Sequence, residues 1–208
     1  MVIYFQHLVN NKIMKNTLKI IFCLFLSINS YGQVTVVVPL SPVTNQNGAY
    51  FKDLNNELFP YVGTWEGVLN NKKYTFVFQK FTQHLTTYYP YSESYYYRDE
   101  LMGKFQVTNN TTGEVIYSSL NASSYDEYPI RGIVKPYHGR FSFVFIDTEA
   151  NCENGLKFML KNIPNQTNQL KYFRFEYKDS WNIDCTTYSS RMDIPVNLPM
   201  QDLILTKL

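Results

Sequence analysis

The chain has 208 residues, 45% of them apolar, which is enough for one domain with a genuine hydrophobic core and too apolar for a disordered chain. Its 19 basic and 17 acidic residues give a net charge of +2, but Lys12, Lys15 and Lys19 precede residue 33 and no acid does, so residues 33–208 carry 16 against 17, or −1. That balance removes the electrostatic case for a nucleic-acid partner.

Ile20 to Ile28 is an apolar run broken only by Ser27, with Lys15 and Lys19 before it and Ser30-Tyr31-Gly32 after it. Small residues therefore stand at −3 and −1 of a cut before Gln33, the pattern of a signal peptide. The run is about half the roughly 20 apolar residues of a membrane span, so no span is expected in the mature form. Residues 1–32 read as the signal, with Met14-Lys15-Asn16 as its true start. Cys23 lies inside the run and lacks the setting that lipid attachment requires. The expected location is outside the inner membrane: periplasm, cell surface or medium.

Cleavage removes Cys23 and leaves an even pair, Cys152 and Cys185, in an oxidising compartment, where a disulfide is the natural reading. Its loop of about 34 residues would contribute on the order of 4 kcal/mol in the chain-entropy description.

Residues 33–49 mix valines with Pro39 and Pro42 and read as an extended lead-in, followed by a single β domain over 50–208. Phe51, Leu54, Leu58 and Phe59 recur at helical spacing up to Pro60, predicting one short helix or 3₁₀ turn. From Gly63 the period becomes two and turn residues recur, an all-β pattern. Strands are predicted at 63–69, 72–81, 95–107, 114–120, 140–148, 155–161, 170–177 and 202–208, with a tight Asn70-Asn71 turn after the first. Tyr74, Phe76 and Phe78 share a face. On 95–107, Tyr97, Asp99, Leu101, Gly103, Phe105 and Val107 oppose a charged row of Arg98, Glu100, Lys104 and their neighbours. Phe141, Phe143 and Phe145 oppose Ser142, Val144 and Ile146. On the seventh strand, Tyr172, Arg174 and Glu176 alternate with Phe173, Phe175 and Tyr177.

Eight sequential strands of this length suit a small up-and-down antiparallel barrel, and a two-sheet sandwich is the rival. Up-and-down order places the connections holding Cys152 and Cys185 at one end, as a disulfide requires.

Gly63-Thr64-Trp65, where a helical turn meets the first strand, resembles the Gly-x-Trp opening of lipocalin-like barrels. That resemblance implies a tryptophan closing one barrel end beneath a basic partner, for which Arg174 and Arg191 are the candidates. Tyr50 to Leu58, Tyr61 to Gly67 and Asp99 to Phe105 together resemble a family of uncharacterised exported bacterial proteins known only as a domain of unknown function. It implies export and one β domain over nearly the whole mature chain, and brings no activity with it.

Only His84 and His138 remain after the signal is removed, and the metalloprotease, nucleophile-elbow, Cys-x-x-Cys and phosphate-loop motifs are missing from the sequence. No cofactor or metal is expected, and the domain reads as non-catalytic. A hydrolase would have to work with carboxylates, with Glu66 and Asp99 the pair to consider. Asp99 falls on the apolar face of its strand, where an unpaired carboxylate is costly, so a tyrosine or arginine partner is expected.

The densest local feature is aromatic. Tyr88, Tyr89, Tyr91, Tyr95, Tyr96 and Tyr97 crowd one connection, and Tyr125, Tyr128 and Tyr137 lie in another that up-and-down order puts at the same end. Such a rim fits a sugar, a lipid head or a protein partner, and equally fits cross-strand packing. Two readings follow. One is an exported binding protein for a small apolar or amphipathic ligand, or for an envelope partner, at that rim. The other is a structural or protein-interaction module whose interior is filled by Phe76, Phe78, Phe143 and Phe145.

Overall fold

The computed structural model describes residues 36–40, 46–87, 94–133, 136–147, 154–177, 187–190 and 193–208. Residues 1–32, Tyr88, Tyr89, Tyr91, Cys152, Cys185 and Arg191 lie outside the described residues. Residues 36–208 fold together as one unit.

The described residues form eleven strands: β1 (Val37–Pro39), β2 (Tyr50–Lys52), β3 (Gly63–Leu69), β4 (Lys72–Thr87), β5 (Tyr95–Asn109), β6 (Val115–Ser118), β7 (Ile130–Gly132), β8 (Arg140–Asp147), β9 (Asn154–Ile163), β10 (Gln166–Tyr177) and β11 (Leu203–Lys207). Among the described residues the helices are two 3₁₀ turns, Phe59–Tyr61 and Tyr125–Glu127. The tight turn between β3 and β4 uses Asn70 at φ 50° and Asn71 at φ 58°, left-handed values that asparagine tolerates well and that match the twist of a hairpin. It sets Leu69 opposite Lys72 and so puts Trp65 and Phe76, directly paired, on the same face.

The pairing runs β5-β4-β3-β11-β10-β9-β8-β7, and β7 also pairs with β5, so eight antiparallel strands close into a barrel. The fold is all-β. The fourth barrel position is not filled by the predicted strand at 114–120. Along one side of β5, β2 pairs at Tyr97 and Arg98, β7 at Met102 and Gly103, and β6 at Gln106 to Thr108, so three short strands share the edge of one long one.

The lead-in belongs to the sheet, for β1 runs parallel to β2. The Tyr50 N–H donates to the Val36 carbonyl and the Leu40 N–H to the Lys52 carbonyl, which turns Val37 and Pro39 toward the outer side of β1. A proline there has no N–H to offer an incoming strand, which blunts the edge.

Inward-facing rings fill the interior. Phe76 lies within 6.2 Å of Phe78, Phe105, Phe158 and Tyr172 by ring centroids, and Phe143 stacks on Phe158 at 5.2 Å. All of these rings are buried. Burial of each stabilises the fold by about 1.5–3 kcal/mol relative to exposure. The rings need room, and two glycines give it: a Cβ on Gly103 would stand 2.7 Å from the Phe78 ring, and one on Gly132 would stand 2.7 Å from Phe141.

Strand β10 departs from strict alternation. Its register with β9 shifts between Phe173 and Glu176, and Arg174 takes φ 54°, the geometry of a bulge. Tyr172 faces inward before the bulge, and Phe175 and Tyr177 pack against the core after it. The predicted grouping of Tyr172 with Arg174 and Glu176 is corrected for that reason.

Candidate functional site

One barrel end is closed by residues 53–62. The predicted helical spacing from Phe51 is not realised: Phe51 belongs to β2, the 3₁₀ turn spans Phe59–Tyr61, and Leu54 and Phe59 face outward. Leu58 and Tyr61 turn inward and are fully buried, Tyr61 meeting the Phe141 ring edge-on at 5.4 Å. Trp65 is also fully buried, and its indole N–H donates to the Tyr61 carbonyl at 2.9 Å.

Gly63, at φ 128°, adopts a backbone that L residues rarely reach, and a Cβ there would lie 2.7 Å from Lys207. Lys207 extends over the Trp65 ring at 5.2 Å. The cation on this tryptophan is thus a lysine from β11. Arg174 is exposed at the β10 bulge.

A polar knot holds the plug to the barrel. Asp53 accepts the Glu57 N–H at 2.7 Å and the Leu58 N–H at 3.2 Å, and Lys80 reaches both Asp53 at 3.0 Å and Asp99 at 3.2 Å. Asp99 also accepts the Tyr50 hydroxyl at 2.5 Å and the Asp53 and Gln83 N–H groups at 3.1 Å. Gln83 sits at φ 53° where the β4–β5 register shifts, so a bulge aims its N–H at the carboxylate. Burial pushes the Asp99 pKa up, but these four donors outweigh it and hold the carboxyl below its usual range. Burial also pushes Lys80 down, and its two carboxylate partners prevail and raise it. Asp99 therefore has the tyrosine partner its position demanded, with lysine in place of arginine.

A carboxylate held ionised by four donors is spent as an acceptor and is a poor general acid near neutral pH. Glu66 is elsewhere, accepting from Thr75 at 2.8 Å with Lys73 at 3.5 Å. Thr75 and Gln83, which bind the two carboxylates, are eight residues apart on β4, about 26 Å along a strand. Glu66 and Asp99 share no cleft. Among the described residues no group of three or more His, Cys, Asp or Glu side chains could hold a metal.

The structure separates the tyrosines of the predicted rim. Tyr128 is buried on the outer face of β4 and β5, where its hydroxyl donates to Gln79 at 2.8 Å and Lys104 lies 5.2 Å above its ring. Tyr125 stacks on His84, meets Phe81 edge-on and donates to Glu100. With Met102 and Ala122 these rings form a small second core outside the barrel. Ser124 and Glu127 build a capping box that turns the chain back onto it. Met102 on the charged face of its strand and the Ser124-x-x-Glu127 pattern are the sequence signals for this core. Among the described tyrosines of that rim, Tyr137 alone is strongly exposed, at 73%. Tyr95 and Tyr97 meet edge-on at 6.1 Å on β5, and Tyr96 is buried beneath Arg98.

At the far end Leu198 joins the core, and the Pro199 carbonyl accepts from the buried Tyr172 hydroxyl at 2.8 Å. Among the described residues two buried side-chain polar atoms have no partner, the Tyr61 hydroxyl and Arg98 Nε.

A closed antiparallel barrel with an aromatic interior and a plugged end defines the class of this protein. The chain belongs to a family of unknown function, DUF6705, which matches residues 14–208 and so takes in the apolar run Ile20–Ile28 together with the barrel. No curated protein and no solved structure matches it. No helix among the described residues is long and apolar enough to cross a membrane.

Proposed function

We propose that this is an exported, non-catalytic recognition module that meets an envelope partner with the outer surface of its plugged end. One observation carries the reading: the interior is taken up by packed rings, while large apolar side chains stand exposed on segments that leave the barrel at the plug. These are Leu54 and Phe59 on the plug, Leu85 on the β4 extension, Ile133 and Tyr137 between β7 and β8, and Leu208 after β11. Apolar and aromatic groups of this kind supply the anchors of protein interfaces. Tyr88, Tyr89 and Tyr91 fall in the β4–β5 connection beside them in sequence.

Export is supported by the leader, and a disulfide between Cys152 and Cys185 would fit that compartment. Strands β8 and β10 both run toward the same barrel end, where the connections carrying the two cysteines begin. A second reading, a small amphipathic ligand at the plug, is favoured by the unpartnered Tyr61 hydroxyl, which a ligand's polar head would satisfy.

A photo-crosslinking residue at Phe59 or Leu85, introduced in the native host, should capture one defined partner, and Leu54→Ser should abolish that capture. Native mass spectrometry separates the readings. A stoichiometric small molecule released only on unfolding would overturn the interface in favour of the ligand. N-terminal sequencing of exported material should begin at Gln33, and a chain retaining its leader would overturn export.

A further inference from the structure

The outer wall opposite the second core carries an unusual row. Arg140 on β8 is paired directly with Lys161 on β9, and Lys161 with Lys171 on β10. Their sequence neighbours Phe141, Leu160, Leu170 and Tyr172 are buried in the core, so all three cations project outward. Directly opposed residues on one sheet face stand about 5 Å apart, and like charges at that spacing repel. Asp202 pairs with Lys171 at 2.6 Å, but Arg140 and Lys161 have no acidic partner among the described residues.

The rows beyond continue the pattern. Ser142, Met159 and Phe173 form the next cross-strand row, and Arg131, Val144, Lys157 and Glu176 the one after. Arg131 turns its guanidinium to the Tyr125 ring of the second core at 5.7 Å, so the cations of this wall are Arg140, Lys157, Lys161 and Lys171, which against Glu176 and Asp202 leave it a net +2, although residues 33–208 as a whole carry −1. Charge is segregated to one side of the barrel.

We infer that the β8–β10 wall is a docking face for an anionic lipid surface. Arg140 and Lys161, without an acidic partner among the described residues, need counter-charge, and acidic headgroups supply it as an array on a comparable scale. Three adjacent strands present these groups on one continuous sheet face, a shape suited to a planar surface. Met159 and Phe173 lie half-buried between the cation rows, and Val144 half-buried beside Lys157, placed to enter the interfacial region. Lys171 lies over the Phe173 ring at 6.0 Å, which keeps the aromatic and the charge side by side. This face adjoins the plug, since Arg140 and Tyr137 exchange backbone hydrogen bonds at 2.7 and 3.0 Å, but lipid binding and partner capture are read by different measurements and fail separately.

The test is co-sedimentation of the full chain with vesicles of phosphatidylglycerol and phosphatidylcholine, against vesicles of phosphatidylcholine alone. Arg140→Gln with Lys161→Gln should weaken binding to the acidic vesicles about fivefold per charge, hence roughly 25-fold for the pair. Lys52→Gln with Lys72→Gln removes the same charge elsewhere and should cost less than about fivefold. The leader is common to all these proteins, so its contribution cancels, and an unchanged thermal midpoint shows that the variants fold. Equal losses for the two pairs would overturn the assignment. So would equal binding to neutral vesicles, or capture by soluble dextran sulfate without any binding to vesicles.

Discussion

The barrel interior and the plug junction are held by different physics, although they meet at Trp65. Inside, Phe76, Phe143, Phe158 and Tyr172 cohere through area and shape, without ionised groups. At the junction, Asp53, Lys80, Asp99 and Tyr50 cohere through directed polar bonds whose strength depends on protonation. Packing energy spreads over many contacts and is indifferent to pH. The polar knot concentrates in a few atoms, and each is expensive to leave unpaired.

The largest expected effect tests the interior. Phe76→Ala removes the ring that packs against four others and should cost about 3–5 kcal/mol in urea unfolding, at every pH where the protein is folded. A loss below about 1 kcal/mol would mean that the rings are loosely packed and the interior has room.

Next comes the knot. Asp99→Asn keeps the shape but weakens the pairing with Lys80 and turns acceptor atoms into donors facing other donors, at a cost of about 2–4 kcal/mol. The same variant sharpens the contrast in acid. Because Asp99 ionises below its usual range when folded, the unfolded chain takes up that proton first as pH falls. Its contribution is complete above the unfolded pKa of about 4 and declines as pH drops through the folded value. Parent and Asp99→Asn melting temperatures should therefore converge below about pH 4 and differ most near neutrality. Parallel curves across that range would show that Asp99 does not couple folding to protons.

The smallest effect comes where the two regions touch. Tyr61 buries a hydroxyl with no partner, so Tyr61→Phe should be neutral or stabilising by about 1 kcal/mol. A clear destabilisation would show that the hydroxyl has a partner in solution and would favour a bound ligand at the plug.

Much of this architecture was legible because alternation is a local signal. The runs around Phe76, Phe105 and Phe143 announce their strands and inner faces, and Asn70-Asn71 announces its turn. The bulges at Gln83 and Arg174 were hidden, since a single extra residue reverses alternation without any change in composition. The second core escaped for a related reason: Tyr125 and Tyr128 resemble rim residues until Met102 gives them a surface to cover.

By itself, then, the sequence determined an all-β chain, the positions of its strands other than β1, β2 and β7, and a buried Asp99 in need of partners, because hydrophobic period and the cost of a lone buried charge act over short distances. Only the tertiary structure decided that β7 closes the barrel, that Lys80 is the cation of the knot and Lys207 the one over Trp65. It alone lined up Arg140, Lys161 and Lys171. Those pairings depend on register between strands far apart in the chain. Net charge and local pattern carry no record of register, and a sheet supplies it only once its strands have met.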